Sequence, residues 1–260
     1  MDFPFHAARD IIAFVLILVR VSAFLVLFPF FNSRIIPVYA KAGLALLFTV
    51  LLYPVVGHEF ATPPAALWAL GPSVAGEILI GFVLGLMVHV FFEAVRMMGQ
   101  LVGFQTGFSI ANVLDPMSGA QVSILSNLAY WMSMIFFLTL NGHHVMLGAL
   151  RESFALIRFG AFHLDQTLFE TVLEKAADIF VLALKIGAPA IAALLFAKVA
   201  FGLITKMIPQ MNIMIVAFPV QIVVGLIFFG LSLGVLLHVS EAYVMDLAPL
   251  LGKTMGRIGG

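Results

Sequence analysis

The residues of this chain best placed to do chemistry are charges set inside apolar runs. Arg20, Glu77, Lys185 and Lys198 lie within or at the edges of such runs, and Glu93 with Arg96 stands near the end of the third. A charge at the centre of a bilayer costs about 2.5–3.5 kcal/mol on insertion scales, so each must face a protein partner or a water-filled cavity. For Arg20, Glu77 and Lys185 that leaves an interhelical or subunit contact, or a step in a proton relay. Glu93 and Arg96 have the i,i+3 spacing that pairs side chains along one helix. His143 and His144 follow Asn141 and Gly142. Adjacent residues on a helix point about 100° apart, a poor two-ligand geometry, so capping and interfacial hydrogen bonding are expected there and metal binding is not. Nothing resembles HExxH, GxSxG or a phosphate-cradling glycine loop, so neither catalysis nor a cofactor is expected.

The elements that carry these charges are strongly apolar. Of 260 residues, 63% are hydrophobic and 10% charged, far from an ordinary soluble domain. Thirteen basic and thirteen acidic residues balance, with no basic block to attract nucleic acid. Cysteine is absent, which removes disulfides and thiolate metal sites. Apolar blocks fall at roughly 11–31, 38–56, 74–98, 122–140, 177–204 and 213–240, each near the ~20 residues a helix needs to cross a bilayer. The fold expected is therefore all-α: one membrane-associated domain over residues 1–260, with about six long hydrophobic helices. The mixed-charge N-terminus leads into a retained first span rather than a cleaved signal peptide. Pro63, Pro64 and Pro72 rule out one continuous helix between the second and third blocks. Residues 141–176 carry Arg151, Glu152, Arg158, Asp165, Glu170, Glu174 and Lys175, and should include a partly exposed helix.

One stretch fits neither a span nor a surface loop. Residues 99–121, GQLVGFQTGFSIANVLDPMSGAQ, hold a single formal charge, Asp115, and mix Phe104, Phe108, Ile110, Val113 and Leu114 with Gly99, Gly103, Gly107 and Gly119. Irregular backbone at membrane depth is tolerated only where it is buried in protein or lines a cavity. The reading is a re-entrant or pore-lining loop over about 104–121. Gly99, Gly103 and Gly107, like Gly81 and Gly85 before them, recur every four residues and so share a helical face that another backbone can approach closely. The neighbour is either a helix of this chain or another subunit.

Topology does not follow from charge. With the N-terminus outside, Arg34, Lys41, Arg96, Lys198 and Lys206 would lie inside, against Arg9, Arg151, Arg158, Lys175, Lys253 and Arg257 outside. That is no positive-inside bias. Either one block is not a simple span, or the protein inserts by assembling with others.

Taken together, PFFNSRIIP with Lys41, Gly76 and Glu77 followed by Gly81 and Gly85, GFQTGFSIANVLDP, NGHH at 141–144, and PQMN at 209–212 leading to Phe218, Pro219 and Gly225 give an ordered pattern. In that order and spacing the chain resembles the FliR/SctT family of type III export-gate proteins over nearly its whole length, and NGHH is more like the flagellar branch. The resemblance implies a non-enzymatic channel component of the flagellar basal body in the bacterial inner membrane. It would assemble with FliP and FliQ into a helical export gate near FlhB and FlhA, passing unfolded flagellar subunits, with much of the complex lifted out of the bilayer plane. The family's plug loop lines up with residues 107–121. Its apolar plug positions map onto Ile110 and Val113, with Phe108, Leu114 and Met117 beside them, and Asp115 and Pro116 end the motif. Structural or interface roles are implied for Arg20, Lys41, Glu77, the five glycines at 81, 85, 99, 103 and 107, Asn141, Gly142, His143, Pro209, Gln210 and Asn212.

Two other readings stay open. A stand-alone proton-coupled secondary transporter would have a broken helix at 103–121 and a coupling carboxylate such as Glu77 or Asp115, although no internal repeat of residues supports it. A purely structural scaffold would tolerate plug substitutions except in assembly.

Overall fold

On the first helix, α1 (Phe3–Leu27), Ala13, Leu16, Ile17, Val21, Phe24 and Leu25 recur at intervals of three and four and are all buried, the stripe by which an amphipathic helix packs, and Phe28 just past its end continues it. The computed structural model describes residues 3–31, 36–56, 70–107, 123–160, 166–210 and 212–259. These form seven α-helices: α1 Phe3–Leu27, α2 Val38–Val56, α3 Leu70–Gln105, α4 Ile124–Thr139, α5 Gly142–Leu156, α6 Gln166–Met207 and α7 Ile213–Gly259. No strand occurs among the described residues. By length and composition, five helices are able to cross a membrane, or six elements if the bent pair α4 and α5 is one broken span.

The long helices exceed the expected blocks, and the reasons are local. α3 begins at Leu70, so Pro72 falls in its first turn, where a missing N–H leaves no intrahelical bond unmade. It also runs on through Gly99 and Gly103 to Gln105 rather than stopping at 98. α6 has 42 residues and α7 has 47, about 63 and 70 Å at 1.5 Å per residue. Those lengths are more than twice the ~30 Å hydrocarbon thickness. Glu170, Glu174, Lys175 and Asp178 crowd the start of α6, while His238, Glu241, Asp246 and Lys253 occupy the second half of α7. A search for apolar runs stops at these polar ends, although the backbone continues helical. Hydroxyls inside the helices donate to carbonyls three or four residues back, as Thr49 does to Ala45 (2.7 Å), Ser133 to Tyr130 (2.7 Å) and Ser240 to Leu236 (2.7 Å). Each satisfies its own hydroxyl without a partner helix.

The chain divides into two compact units. The first comprises Met1–Val90, Asn141–Ala176 and Val244–Gly260, and the second Phe91–Leu140 and Ala177–Tyr243. In the first, α2 packs on α1 and α5, and Ala13 and Leu16 gather Ile12, Tyr53, Val74 and Phe159 around them. In the second, Phe91 stacks on Tyr243 with ring centroids 4.6 Å apart, and Phe92 meets Tyr130 and Phe137 edge-on. α3 belongs to both units. Its most apolar window is 67% buried, against 11% for α2 and 28% for α6 and α7. α3 is thus an interior helix, whereas the others keep apolar faces that only lipid or other protein can cover.

Candidate functional site

Arg20 stands on the buried stripe of α1 and is itself fully buried. Its Nε donates to Glu77 Oε2 of α3 at 2.5 Å, Nη1 to Ser153 Oγ of α5 at 3.1 Å, and Nη2 to the Ile157 carbonyl at 3.3 Å. The guanidinium carbon lies 4.2 Å from the Phe154 ring centroid, and Phe159 flanks it at 5.8 Å. The Gly160 backbone amide adds favourable electrostatics at the Glu77 carboxylate. One arginine therefore ties three helices and the turn after α5, spending its donor fork on a charge, a hydroxyl, a carbonyl and an aromatic face. Spacing alone marked Arg20 and Glu77 as needing partners. Ser153, Phe154 and Phe159 carried no sequence signal, since Ser and Phe are ordinary in such a helix.

The glycines lie where backbones come close. A Cβ on Gly81 would collide with the Arg20 carbonyl and come within 2.9 Å of Ala23 Cβ, and one on Gly85 would meet Leu27 Cβ at 2.7 Å. α1 thus rests on the small face of α3, one turn beyond the ion pair. In the second unit a Cβ on Gly99 would run into the Ser126 backbone, 2.8 Å from its nitrogen and 2.9 Å from the Leu125 carbonyl. Ser126 Oγ donates back to the Arg96 carbonyl at 2.9 Å, locking the start of α4 to α3. Arg96 pairs with Glu93 at 3.4 Å, as their spacing predicts, and lies 4.1 Å above the Tyr130 ring.

Gly103 is buried, and its carbonyl accepts from Thr106 Oγ1 at 3.0 Å. Fully buried Thr106 is pressed against α7 at Gly225, where a Cβ would overlap the Thr106 Cγ2 methyl. Gly107 follows with φ +85°, a left-handed conformation that glycine adopts without penalty. Residues 108–122, with Phe108, Ile110, Val113, Leu114, Asp115, Pro116 and Met117, lie outside the described residues. Their two ends are held: Thr106 is wedged at Gly225 before them, and after them Ser123 opens α4, whose Leu125 and Ser126 lie against Gly99. Thr106 stands inside the GFQTGFSIANVLDP run without having been singled out, and Ser126 lies outside every motif.

The NGHH motif forms the corner of the bent pair. Asn141 has φ +58°, the sole non-glycine residue with positive φ among the described residues, and its carbonyl accepts from the His144 and Val145 amides at 2.9 and 3.3 Å. Asn is among the few side chains that tolerate this region. Gly142 is buried behind it, and the His143 and His144 rings lie 4.1 Å apart. Among the described residues no group of three His, Asp or Glu could hold a metal ion. Pro209 and Gln210 are exposed in the turn after α6, and the Asn212 carbonyl accepts from the Ile215 amide at 3.2 Å at the start of α7. Lys41 lies in the first turn of α2 and makes no ion pair with any described residue.

Known proteins resemble this chain along most of its length. It is 30% identical over 231 residues to the flagellar biosynthetic protein FliR of Bacillus subtilis (strain 168), covering 86% of this chain and 87% of the relative. It is 30% identical over 244 residues to the protein of that name from Pectobacterium carotovorum, covering 92% and 91%. The Escherichia coli (strain K12) protein of that name is 32% identical over 209 residues, covering 80% and 79%. The family model described as "Bacterial export proteins, family 1" matches residues 11–247, a span that takes in the Arg20 cluster, both loop anchors and the Asn141 corner, and the chain belongs to that family.

Proposed function

We propose that this chain is a non-enzymatic component of the flagellar protein export apparatus, embedded in the bacterial inner membrane. Its membership of an export-protein family across residues 11–247 carries this reading. Relatives named for flagellar biosynthesis, over 79–91% of their own length, assign it to the flagellum. FliP and FliQ are the partners that cover the apolar faces of α6 and α7, with FlhB and FlhA beside the complex and unfolded flagellar subunits passing through it.

Within that assembly, residues 107–121 act as the plug. Phe108, Ile110, Val113, Leu114 and Met117 bring apolar side chains into a narrow passage, which excludes water and ions by dewetting at rest. The anchors on either side support this role. Thr106 at Gly225 and Gly99 at Ser126 fix both ends, while Gly107 offers the backbone freedom on which the segment swings. Of the two carboxylates that the transporter alternative offers, Glu77 is buried against Arg20, and Asp115 lies outside the described residues.

Two measurements test the proposal. Co-purification from native membranes in mild detergent, followed by mass spectrometry, should recover FliP-like and FliQ-like proteins; a stable chain free of partners would sink the gate reading. Ile110→Gly with Val113→Gly should make cells leak small ions while export is idle, and unchanged permeability would remove the plug assignment alone.

A further inference from the structure

In the first unit, where α1 ends and α2 begins, the two helices enclose a cavity of about 380 Å³ that is partly open to the surroundings. Its walls include Leu25 and Val26 of α1, Phe31 after it, and Leu44 and Ala45 of α2. Among the described residues, Lys41 is the single charged group in the lining, half-buried in the first turn of α2 and unpaired. Both helices are apolar enough to span a membrane, and the cavity lies between the end of the first and the start of the second. Phe30 and Tyr39 are exposed at that same level, Tyr39 by 91%. Aromatic residues collect at the headgroup boundary, and lysines near helix ends extend their ammonium toward it.

We propose that this cavity binds one acyl chain of an anionic phospholipid, with the Lys41 ammonium on the headgroup phosphate. A narrow apolar slot with one cation at its boundary end matches the two parts of such a molecule, and basic pockets between membrane helices recognise anionic headgroups. The lipid would cover part of the poorly buried face of α2 and fix its first turn against α1. This inference rests on the membrane character of α1 and α2 and not on protein export.

The test uses the full chain, with whatever partners co-purify, in nanodiscs of phosphatidylcholine and phosphatidylglycerol in equal amounts with identical chains, then native mass spectrometry of the retained lipid. The wild type and Lys41→Arg should retain phosphatidylglycerol over phosphatidylcholine by about fivefold, the ratio expected for one basic residue at an anionic surface. Lys41→Gln should bring the ratio to parity. Ala42→Trp, which fills the cavity from its exposed rim, should reduce retention of both lipids. Equal retention of the two lipids by the wild type, or a preference that survives Lys41→Gln, overturns the proposal. So does a photo-crosslinker at position 42 that captures a partner polypeptide instead of lipid. Loss of partners with lipid retention unchanged would count against the export reading and leave this site standing.

Discussion

The Arg20–Glu77 pair is the sharpest place to break the fold, because both charges are buried and the guanidinium is held from α1, α3 and α5 at once. Glu77→Gln keeps the shape of the acceptor and removes its charge. The guanidinium is then left with the Ser153 hydroxyl, the Ile157 carbonyl and the Phe154 face, none of which neutralises it. Breaking a buried pair from one side costs about 3–5 kcal/mol, since the surviving ion stays desolvated. For a chain of this size that corresponds to a fall in melting temperature of about 6–20 °C. Arg20→Met should cost at least as much, because it strands the carboxylate and also removes the guanidinium that lies over Phe154 and beside Phe159. The double variant Arg20→Met with Glu77→Met removes both charges and refills the space, and apolar replacement of buried pairs is often neutral or stabilising. It should melt above either single variant, a non-additive result that a cycle of the four proteins measures directly.

The assay is loss of helical circular dichroism on heating in mild detergent, with swimming of a strain carrying each variant as the second readout. Glu77→Gln melting within about 2 °C of the wild type, less than ~1 kcal/mol at this size, would refute the argument. So would a double variant no more stable than the worse single. The second readout separates structure from chemistry. A stable double variant that still supports swimming means that the pair only joins helices, whereas a stable but non-motile one would return Glu77 to a proton-handling role.

The other expectations concern backbone. Gly225→Ala should displace the Thr106 methyl and impair motility, and Thr106→Ser, which deletes that methyl, should restore it; failure of the rescue would show that the contact is not what Gly225 provides. Asn141→Gly should leave the melting temperature unchanged, while Asn141→Val at φ +58° should lower stability by about 1–2 kcal/mol, read by the same thermal assay.

What the sequence made legible follows the physical signal each residue emits. The α1 stripe is visible in the spacing of Leu16, Ile17, Val21 and Phe24, and Arg20 on that stripe announces a buried charge that needs a partner. That Glu77 supplies it, 57 residues away, is not a matter of spacing and comes only from folding α3 beside α1. Gly99 shows the opposite difficulty. Glycines in an apolar run read equally as helix interruption or close contact, and here the helix continues because the start of α4 comes too near α3 to admit a Cβ. NGHH drew notice for its histidines, yet the chain's requirement there is the left-handed backbone of Asn141.

Burial is distributed very unevenly among the helices. An ordinary membrane bundle buries its helices against one another comparably, but here α3 takes most of the burial while α2, α6 and α7 remain largely uncovered. A chain built this way gains its remaining stability from whatever binds those faces, because a partner that binds the folded state alone stabilises it by mass action. The residues on either side of 108–122 are packed inside one unit, Thr106 at Gly225 and Ser126 at Gly99, so a substitution at either contact acts on the helices that flank the segment.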